Sequence, residues 1–213
     1  MMLAQKLKRG GAIPPKTLYA AADDHVTVWE AESTGALTLL GSYYQNNRAY
    51  FDVRVDAAGT YAYVVENKQD TMSVLDISDP ASITLAGSYV DATRMNQPRE
   101  LALDESNDIV YVKADFSDNM LSLDVATLAS ITKLDHAGYS AGPGCCWDAA
   151  NDLVFTAQSA ATERLYSIDV SVPTALATVD TDVSGTHYAS ANQLALDATN
   201  LVVMGTSGGT GDH

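Results

Sequence analysis

The sequence predicts an all-β protein of the β-propeller class, and three observations carry this prediction. Four strand-like patterns recur along the chain in a constant order. Each pattern alternates apolar and polar residues with a period of two, and Gly, Asn, Asp or Pro bounds it roughly every 8–12 residues. Four strands in a repeat of about 46 residues match the dimensions of one propeller blade. Because no segment sustains a 3.6-residue period, we expect almost no helix.

Strands A and B open each repeat. Strand A is an alternating run that ends in Asp, and it occurs as FDVRVD (51–56), RELALD (99–104), CCWD (145–148) and NQLALD (192–197). Strand B is an apolar run with an aromatic or β-branched centre, and it occurs as LYAA (18–21), AYVV (62–65), VYVK (110–113), VFTA (154–157) and VVMG (202–205). The chain therefore begins on a B strand, with no A strand before it.

Strands C and D complete each repeat. Strand C alternates and ends in an acid, and it occurs as HVTVWE (25–30), TMSVLD (71–76), NMLSLD (119–124) and RLYSID (164–169). Strand D follows a turn, and it occurs as LTLLGSY (37–43), ITLAGSY (83–89), ITKLDHA (131–137) and LATVDTD (176–182). The connections between successive strands are short, which is typical of antiparallel meanders.

The acid that closes strands A and C is predicted to cap a turn. Asp side chains accept hydrogen bonds from backbone amides two or more residues further on, and this stabilises a tight turn. A residue that recurs in every blade is expected to have a structural role and not a catalytic one. The predicted caps are Asp56, Asp104, Asp148 and Asp197 after strand A, and Glu30, Asp76, Asp124 and Asp169 after strand C.

Two stretches carry a resemblance to known repeat families. SVLDISDPASITLAGSY (73–89), preceded by AYVVEN (62–67), resembles the LVIVD-type repeat of bacterial and archaeal β-propellers. QPRELALDESNDIVYV (97–112) is similar to the related lactonase-like, YVTN-type propeller repeats. The resemblance extends over residues 17 to 205 and departs in the fourth repeat, where CCWD replaces an aliphatic A strand. It implies a propeller fold with a surface or interaction role, and it transfers no catalytic residue.

The strand count leaves both ends of the propeller incomplete. Seventeen strands make about four and a half four-stranded repeats, beginning with B-C-D and ending with A-B. Five blade positions, two of them incomplete and with open edges, accommodate all of these strands. In the alternative, the last A strand completes the first blade and closes a four-bladed ring, but the final B strand then has no place. We favour five positions.

Charge and composition divide the chain into three predicted parts: a basic extended arm at 1–16, a propeller domain at 17–206 and a flexible tail at 207–213. The chain has 12 Lys and Arg against 27 Asp and Glu, a formal net charge of −15. Four of the twelve cations lie in the arm, which contains no acid. The arm lacks the apolar stretch of a secretory signal, so we expect synthesis in the cytoplasm without a signal peptide.

The opposite charges of arm and body predict a protein partner. Opposite charge steers association, while apolar side chains or backbone bonding supply lasting contact. The expected contact residues are Leu3, Lys6, Leu7, Lys8, Arg9 and Ile13. A disordered terminus is the alternative. Nucleic acid is a disfavoured partner because four cations beside an acidic body would bind it weakly. No segment has the length of apolar sequence that a membrane span needs.

The face that carries the B–C and D–A loops is rich in carboxylates and therefore offers weak candidates for a Ca²⁺ site. Oxygen ligands suit a hard cation, although no compact ligand spacing is present. The candidate ligands are Asp23, Asp24, His25, Asp70 and Asp118. A solvated acidic rim is the alternative and the one we favour. No other metal and no cofactor are predicted.

The two cysteines precede a tryptophan in the third A strand. In register with the other A strands, Cys145 faces the core between blades and Cys146 takes the small-residue position on the opposite face. Free cysteine packs as a small hydrophobe, and a bond between neighbouring cysteines is strained. We expect two unbridged, metal-free thiols, with Cys145 buried.

Two functions of different class remain open. The first is a non-enzymatic structural or protein-interaction propeller, a subunit of a larger homo- or hetero-oligomeric assembly such as a phage or virus particle. Its support is the unfinished strand count, the basic arm and the absence of a nucleophile elbow, phosphate loop or dinucleotide fingerprint. The alternative is a propeller enzyme of the lactonase-like hydrolase type with a metal in the central channel.

Overall fold

The fold is built from antiparallel strands joined in sequence order. The computed structural model describes residues 16–139, 144–158, 164–183, 191–197 and 202–207. Seventeen strands and three single-turn 3₁₀ segments occur in these ranges, and each predicted strand is present with its ends shifted by at most two residues. The described part contains no helix long and apolar enough to span a membrane.

The strands form five separate sheets, each a meander in which neighbours along the chain pair. The first has three strands: β1 (Lys16–Ala22), β2 (His25–Ala31) and β3 (Leu37–Tyr44). The second has β4 (Tyr50–Val55), β5 (Tyr61–Glu66), β6 (Thr71–Asp76) and β7 (Thr84–Val90). The third has β8 (Pro98–Asp104), β9 (Ile109–Ala114), β10 (Asn119–Asp124) and β11 (Thr132–Gly138). The fourth has β12 (Cys145–Asp148), β13 (Leu153–Gln158), β14 (Arg164–Asp169) and β15 (Ala177–Val183), and the fifth has β16 (Ala191–Asp197) and β17 (Val202–Ser207).

Aspartate side chains hold the turns as the sequence predicts. Asp56 accepts hydrogen bonds from the backbone amides of Thr60 and Tyr61 at 2.7 and 3.0 Å. The same role falls to Asp104 and Asp148 after strand A, and to Asp76, Asp124 and Asp169 after strand C. Glu30 is the exception.

Glu30 lies inside its strand because β2 continues to Ala31. The turn that follows is closed by backbone bonds, from the Glu32 amide to Ala36 O and from the Gly35 amide to Glu32 O, both 2.9 Å. The prediction of a cap at Glu30 is therefore wrong. The side chain of Asp197 lies outside the described residues.

The cores lie between successive sheets. The largest, between the second and third sheets, includes Val65, Met72, Leu101 and Leu121, each fully buried. Equivalent cores form between the first and second sheets and between the third and fourth. Each sheet therefore buries both faces except where a neighbour is missing, which is the packing of propeller blades around a channel.

Glycine in strand D permits the next blade to approach. A Cβ on Gly41 or Gly87 would lie 1.7 or 2.0 Å from the carbonyl oxygen of Pro80 or Leu128 in the following sheet's C–D turn. At the equivalent place in β11 stands Asp135, whose carboxylate accepts from the amide of Leu176 at 2.8 Å. The GSY motif of the repeat thus has a packing reason.

The innermost strands pack in order around the channel: β1 against β4, β4 against β8, β8 against β12, and β12 against β16. Among the described strands, β16 pairs with β17 and β1 pairs with β2, and no comparable contact joins the last sheet to the first. The alternative in which β16 completes the first sheet is therefore not what these ranges show. The number of blades in a closed ring stays a prediction.

The division of the chain into arm, propeller and tail stays a prediction. β1 begins at Lys16 and β17 ends at Ser207, one residue outside the predicted propeller at each end. The arm residues Leu3, Lys6, Leu7, Lys8, Arg9 and Ile13 lie outside the described residues.

Candidate functional site

The central channel is the main candidate site. A cavity of about 280 Å³ lies between the A strands of four sheets. Eight of its ten lining residues are apolar or cysteine, and the other two are one cation and one carboxylate. The lining residues are Arg54, Val55, Leu101, Ala102, Leu103, Glu105, Cys145, Cys146, Trp147 and Leu194.

Two carboxylates at equivalent positions join neighbouring A strands across this channel. Asp52 accepts a hydrogen bond from the backbone amide of Leu101 in the next sheet at 3.1 Å. Glu100 repeats the contact one sheet later and accepts from the amide of Cys145 at 2.6 Å. Such bonds use the inner edge of each blade, where a strand has no further neighbour in its own sheet.

The third step of this series is apolar. Gly144 takes the position that Asp52 and Glu100 occupy, immediately before the residue that faces the preceding blade. A Cβ on Gly144 would lie 2.6 Å from Cγ of Leu194 and 3.3 Å from Cβ of Ala157. Leu194 thus packs into the space that a side chain at residue 144 would fill.

Charge in the channel is partly neutralised by one arginine. A guanidinium nitrogen of Arg54 lies 2.7 Å from a carboxylate oxygen of Asp52 and 3.2 Å from the carbonyl oxygen of Val53. Arg54 stands where the following repeats have Ala102 and Cys146, so it is specific to the second sheet. It makes this half of the channel the more polar one.

Burial raises the pKa of Glu100 to about 9, and the negative charge of Asp52 adds to the shift. Burial also raises the pKa of Asp52, although Arg54 opposes that shift. At neutral pH, Glu100 therefore holds a proton while it accepts the Cys145 amide. Its carboxyl group is a neutral bridge between two blades, whereas the Asp52 carboxyl group also contacts the Arg54 guanidinium.

The cysteines are as predicted from the register. Cys145 is 1% exposed and packs with Ala102, Tyr111 and Tyr166 between the third and fourth sheets. Cys146 lies on the opposite face against Ala157 and Leu194. Both are free thiols. Burial raises the pKa of Cys145 well above its ordinary value and that of Cys146 to about 12, so neither supplies a thiolate nucleophile at neutral pH.

The predicted Ca²⁺ ligands serve a repeated backbone contact in the B–C turns. Asp24, Asp70 and Asp118 each precede a C strand, and their carbonyl oxygens accept the amides that follow the D strands, those of Gln45, Asp91 and Tyr139. The carboxylates of Asp24 and Asp70 accept amides of the following loop, those of Arg48 and Gln97, at 2.8 and 2.9 Å.

Asp23 and His25 have separate local roles. Asp23 has a positive φ of 49° in its turn and bridges to Tyr50, and the His25 ring lies 4.8 Å from that of Tyr44. In the part of the chain that the structure describes, no three His, Cys, Asp or Glu side chains form a group that could hold a metal. A Ca²⁺ site on this face stays a prediction.

A buried polar network that sequence reasoning missed lies between the first and second sheets. Glu66 is fully buried at the end of β5 and accepts hydrogen bonds from Arg48 and Ser73. Burial raises its pKa, while Ser73 and Arg48 oppose the shift. The hydroxyl of Tyr50 is buried with no hydrogen-bond partner among the described residues. The sequence signal for this network was Glu66 itself, a carboxylate at the end of an otherwise apolar B strand.

A second missed group is Lys113, a charged residue within the otherwise apolar third B strand. Its ammonium is fully buried and donates to the carbonyl oxygens of Tyr139 at 2.6 Å and Ala114 at 3.3 Å. Burial lowers the pKa of Lys113 to about 8. The contact fastens the end of strand D to strand B, which is a structural role.

Comparison with known proteins agrees with this architecture. The LVIVD repeat profile matches residues 53–91, so the chain carries an LVIVD repeat in its second sheet. No curated protein matches the sequence at a significant level.

Solved propellers share the fold at low sequence identity. A protein from Lactobacillus plantarum is 15% identical with a TM-score of 0.74, and the match covers 90% of this chain and 61% of that one. The periplasmic gluconolactonase of Pseudomonas aeruginosa is 14% identical with a TM-score of 0.69, covering 89% and 59%. A chain in the crystal structure of a nidogen/laminin complex is 12% identical with a TM-score of 0.67, covering 90% and 70%. The chain thus spans about three fifths of the two bacterial propellers.

Proposed function

We propose that this propeller with an LVIVD repeat is a non-enzymatic structural module that joins a larger protein assembly. The observation that carries the proposal is the incomplete first sheet. Among the described residues, strand β1 pairs only with β2, and within these ranges the backbone donors and acceptors of its inner edge have no strand partner. An open edge of this kind pairs with a strand from another chain, as in β-strand addition.

The channel chemistry is consistent with a scaffold. Three carboxylates around the channel bridge one blade to the next. Asp52 and Glu100 accept hydrogen bonds from amides of the following A strand, and Glu105 accepts one from the Ala57 amide at 2.8 Å. Groups engaged in this way hold blades in register. The solved neighbours include a chain within a nidogen/laminin complex, which supports a role in contact between proteins.

The basic arm is the second expected contact. Deletion of residues 1–14 should leave the far-UV circular dichroism of the sheets unchanged and reduce assembly. Assembly of the intact chain should weaken as the salt concentration rises, because salt screens the exposed charges of the arm. A truncated chain that assembles as well as the full chain would leave the arm with no role in assembly. Membership of a virion and synthesis in the cytoplasm remain part of the proposal and await localisation of the native protein.

The test of the proposed function combines mass and metal content. The purified full chain is examined by sedimentation equilibrium and elemental analysis. We expect a mass above the 22.6 kDa of one chain, with metal well below one ion per chain. A strict monomer over the accessible concentration range would contradict the proposal.

The alternative function is a lactonase-like hydrolase with a metal in the channel. Its support is the channel cavity and the likeness to a gluconolactonase. This function needs carboxylates and imidazoles that converge from several blades. It predicts stoichiometric metal in the purified protein and hydrolysis of gluconolactone that chelation abolishes. A metal-free chain that assembles and leaves the lactone intact excludes it.

A further inference from the structure

One apolar face of the first sheet packs against no other sheet in the part of the chain that the structure describes. On one face of the sheet, the pairing register puts Leu18 beside Trp29 and Ala31 beside Leu37. Ala20 lies two residues after Leu18 in β1 and therefore on the same face. These five residues define what we call the open face. The other side of the same sheet packs on the second sheet through Tyr19, Ala21, Val26 and Tyr43. The open face is the side on which a preceding blade would lie.

The equivalent positions in the next three sheets are fully buried. Leu18 is 44% exposed, whereas Ala62, Val110 and Val154 at the same register are 0% exposed. Trp29 is partly exposed, whereas Leu75, Leu123 and Ile168 are 0% exposed. In each of those sheets the preceding sheet covers the position. Among the described residues, the first sheet therefore carries a blade-to-blade surface that no other sheet covers.

Position at the propeller rim does not explain this exposure. Leu39 and Leu85 are equivalent residues of strand D, and they are 50% and 46% exposed although a sheet covers the face of Leu85. Rim leucines are exposed in covered and uncovered sheets alike. Leu18 lies on strand B, away from the rim, and it is the exposed one of the four strand B residues compared above.

The chain's own last sheet does not cover the open face. Among the described residues, β16 and β17 make no substantial contact with the first sheet. The bacterial propellers that the chain matches are longer, and the match covers about three fifths of each.

We propose that the open face binds a second copy of this chain. In the second, third and fourth sheets, the equivalent face is covered by another sheet built from the same repeat. A second copy of this chain carries sheets of that kind. Charge favours the same partner: the residues just before β1 are basic, whereas the rest of the molecule is strongly acidic. A head-to-tail contact of this kind is heterologous and builds a ring or an open chain of copies.

This inference rests on the proposed assembly function and names its surface and its partner. Sedimentation of the full chain over a wide concentration range compares the unmodified protein with Leu18→Glu and the matched control Leu85→Glu. We expect Leu18→Glu to weaken self-association by at least about tenfold, because a charge on the covered face must be desolvated, and Leu85→Glu to leave it unchanged.

The outcomes separate the inference from the function. Assembly that is equally strong in Leu18→Glu overturns the inference and leaves the proposed function standing. An unmodified chain that is monomeric at every concentration overturns both. Far-UV circular dichroism of Leu18→Glu checks that the variant is folded.

Trp29 supplies a second measurement that needs no change at the open face. The chain has two tryptophans, and Trp147→Phe leaves Trp29 as the single fluorophore. Acrylamide quenching of Trp29 should fall severalfold as the protein is concentrated from the dissociated to the assembled state. Hydrogen exchange of β1 and β2 in the unmodified chain should slow over the same range. Unchanged quenching and exchange in an assembled sample place the contact elsewhere and overturn the inference.

Discussion

The two halves of the channel are joined by different chemistry. Between β4 and β8, and between β8 and β12, a carboxylate of one A strand accepts an amide of the next. Between β12 and β16 a glycine replaces the carboxylate, and Leu194 fills the space. The three junctions therefore use the same position of the A strand. A carboxylate at that position gives a polar, directional contact, whereas glycine gives an apolar contact that is sensitive to side-chain volume.

The largest expected effect is on the pH dependence of stability. Glu100 has a folded pKa of about 9 against an ordinary value of 4.5, so the folded chain keeps a proton that the unfolded chain releases. The free energy of unfolding should therefore fall as pH rises from 5 to 8, by an amount on the order of several kcal/mol. The raised pKa of Asp52 acts in the same direction.

Urea denaturation of Glu100→Gln over pH 5 to 8 checks this prediction. Gln accepts the Cys145 amide but does not titrate, so the slope should be much smaller than in the unmodified chain. The range ends at pH 8 because the lowered pKa of Lys113, about 8, gives a rise in stability above it. Glu105→Gln, a change at an exposed side chain of the same channel, should leave the slope intact.

Removal of the bridge itself has the next largest effect. Glu100→Ala leaves the buried Cys145 amide without an acceptor and opens a void, which should lower the free energy of unfolding by about 2–4 kcal/mol at pH 6. Glu100→Gln at the same pH should cost less than about 1 kcal/mol because it keeps the acceptor. Equal losses in the two variants would mean that the hydrogen bond contributes little.

The apolar junction should respond to volume instead. Gly144→Ala places a Cβ 2.6 Å from Leu194 Cγ, and the overpacking should cost about 1–3 kcal/mol. Shortening the opposing side chain relieves the clash. In a double-mutant cycle, Gly144→Ala should therefore destabilise a Leu194→Ala background much less than the unmodified chain. Strictly additive losses would argue against a direct contact.

The smallest effect is expected at the thiols. Cys145→Ala leaves a small void between the third and fourth sheets and should cost about 1–2 kcal/mol. Cys146→Ala is the matched control, with a smaller loss because its side chain is only partly buried. Thiol labelling at pH 7 should be slow in the native chain and reach two thiols per chain on unfolding. Rapid native labelling of Cys145 would contradict the buried geometry.

Sequence alone predicted the strands and most of the turns because their causes are local. A period of two in hydrophobicity defines each strand, and an Asp that caps its own turn needs partners only two to five residues away. Cys145 could be placed for the same reason, since register with Leu101 fixes its face. Glu30 was misassigned because β2 runs one residue further, and backbone bonds close its turn.

The polar bridges were not predicted, because their partners are distant in the sequence. Asp52 and Leu101 are 49 residues apart, and Glu100 and Cys145 are 45 apart. Glu66 and Lys113 interrupt apolar B strands, which the sequence does display. Their partners Arg48 and Tyr139 come from loops whose positions depend on how the sheets pack.

The repeat, the seventeen strands, their order and the side-chain orientation of the A strands could all be predicted from the amino-acid sequence. Those properties follow from short-range periodicity and turn chemistry. The folded structure was needed to show which side chains meet across blades, which carboxyl group keeps its proton, and which sheet face the described residues leave uncovered. These depend on packing between residues about a whole repeat apart, where burial and the distance between charges set the energies.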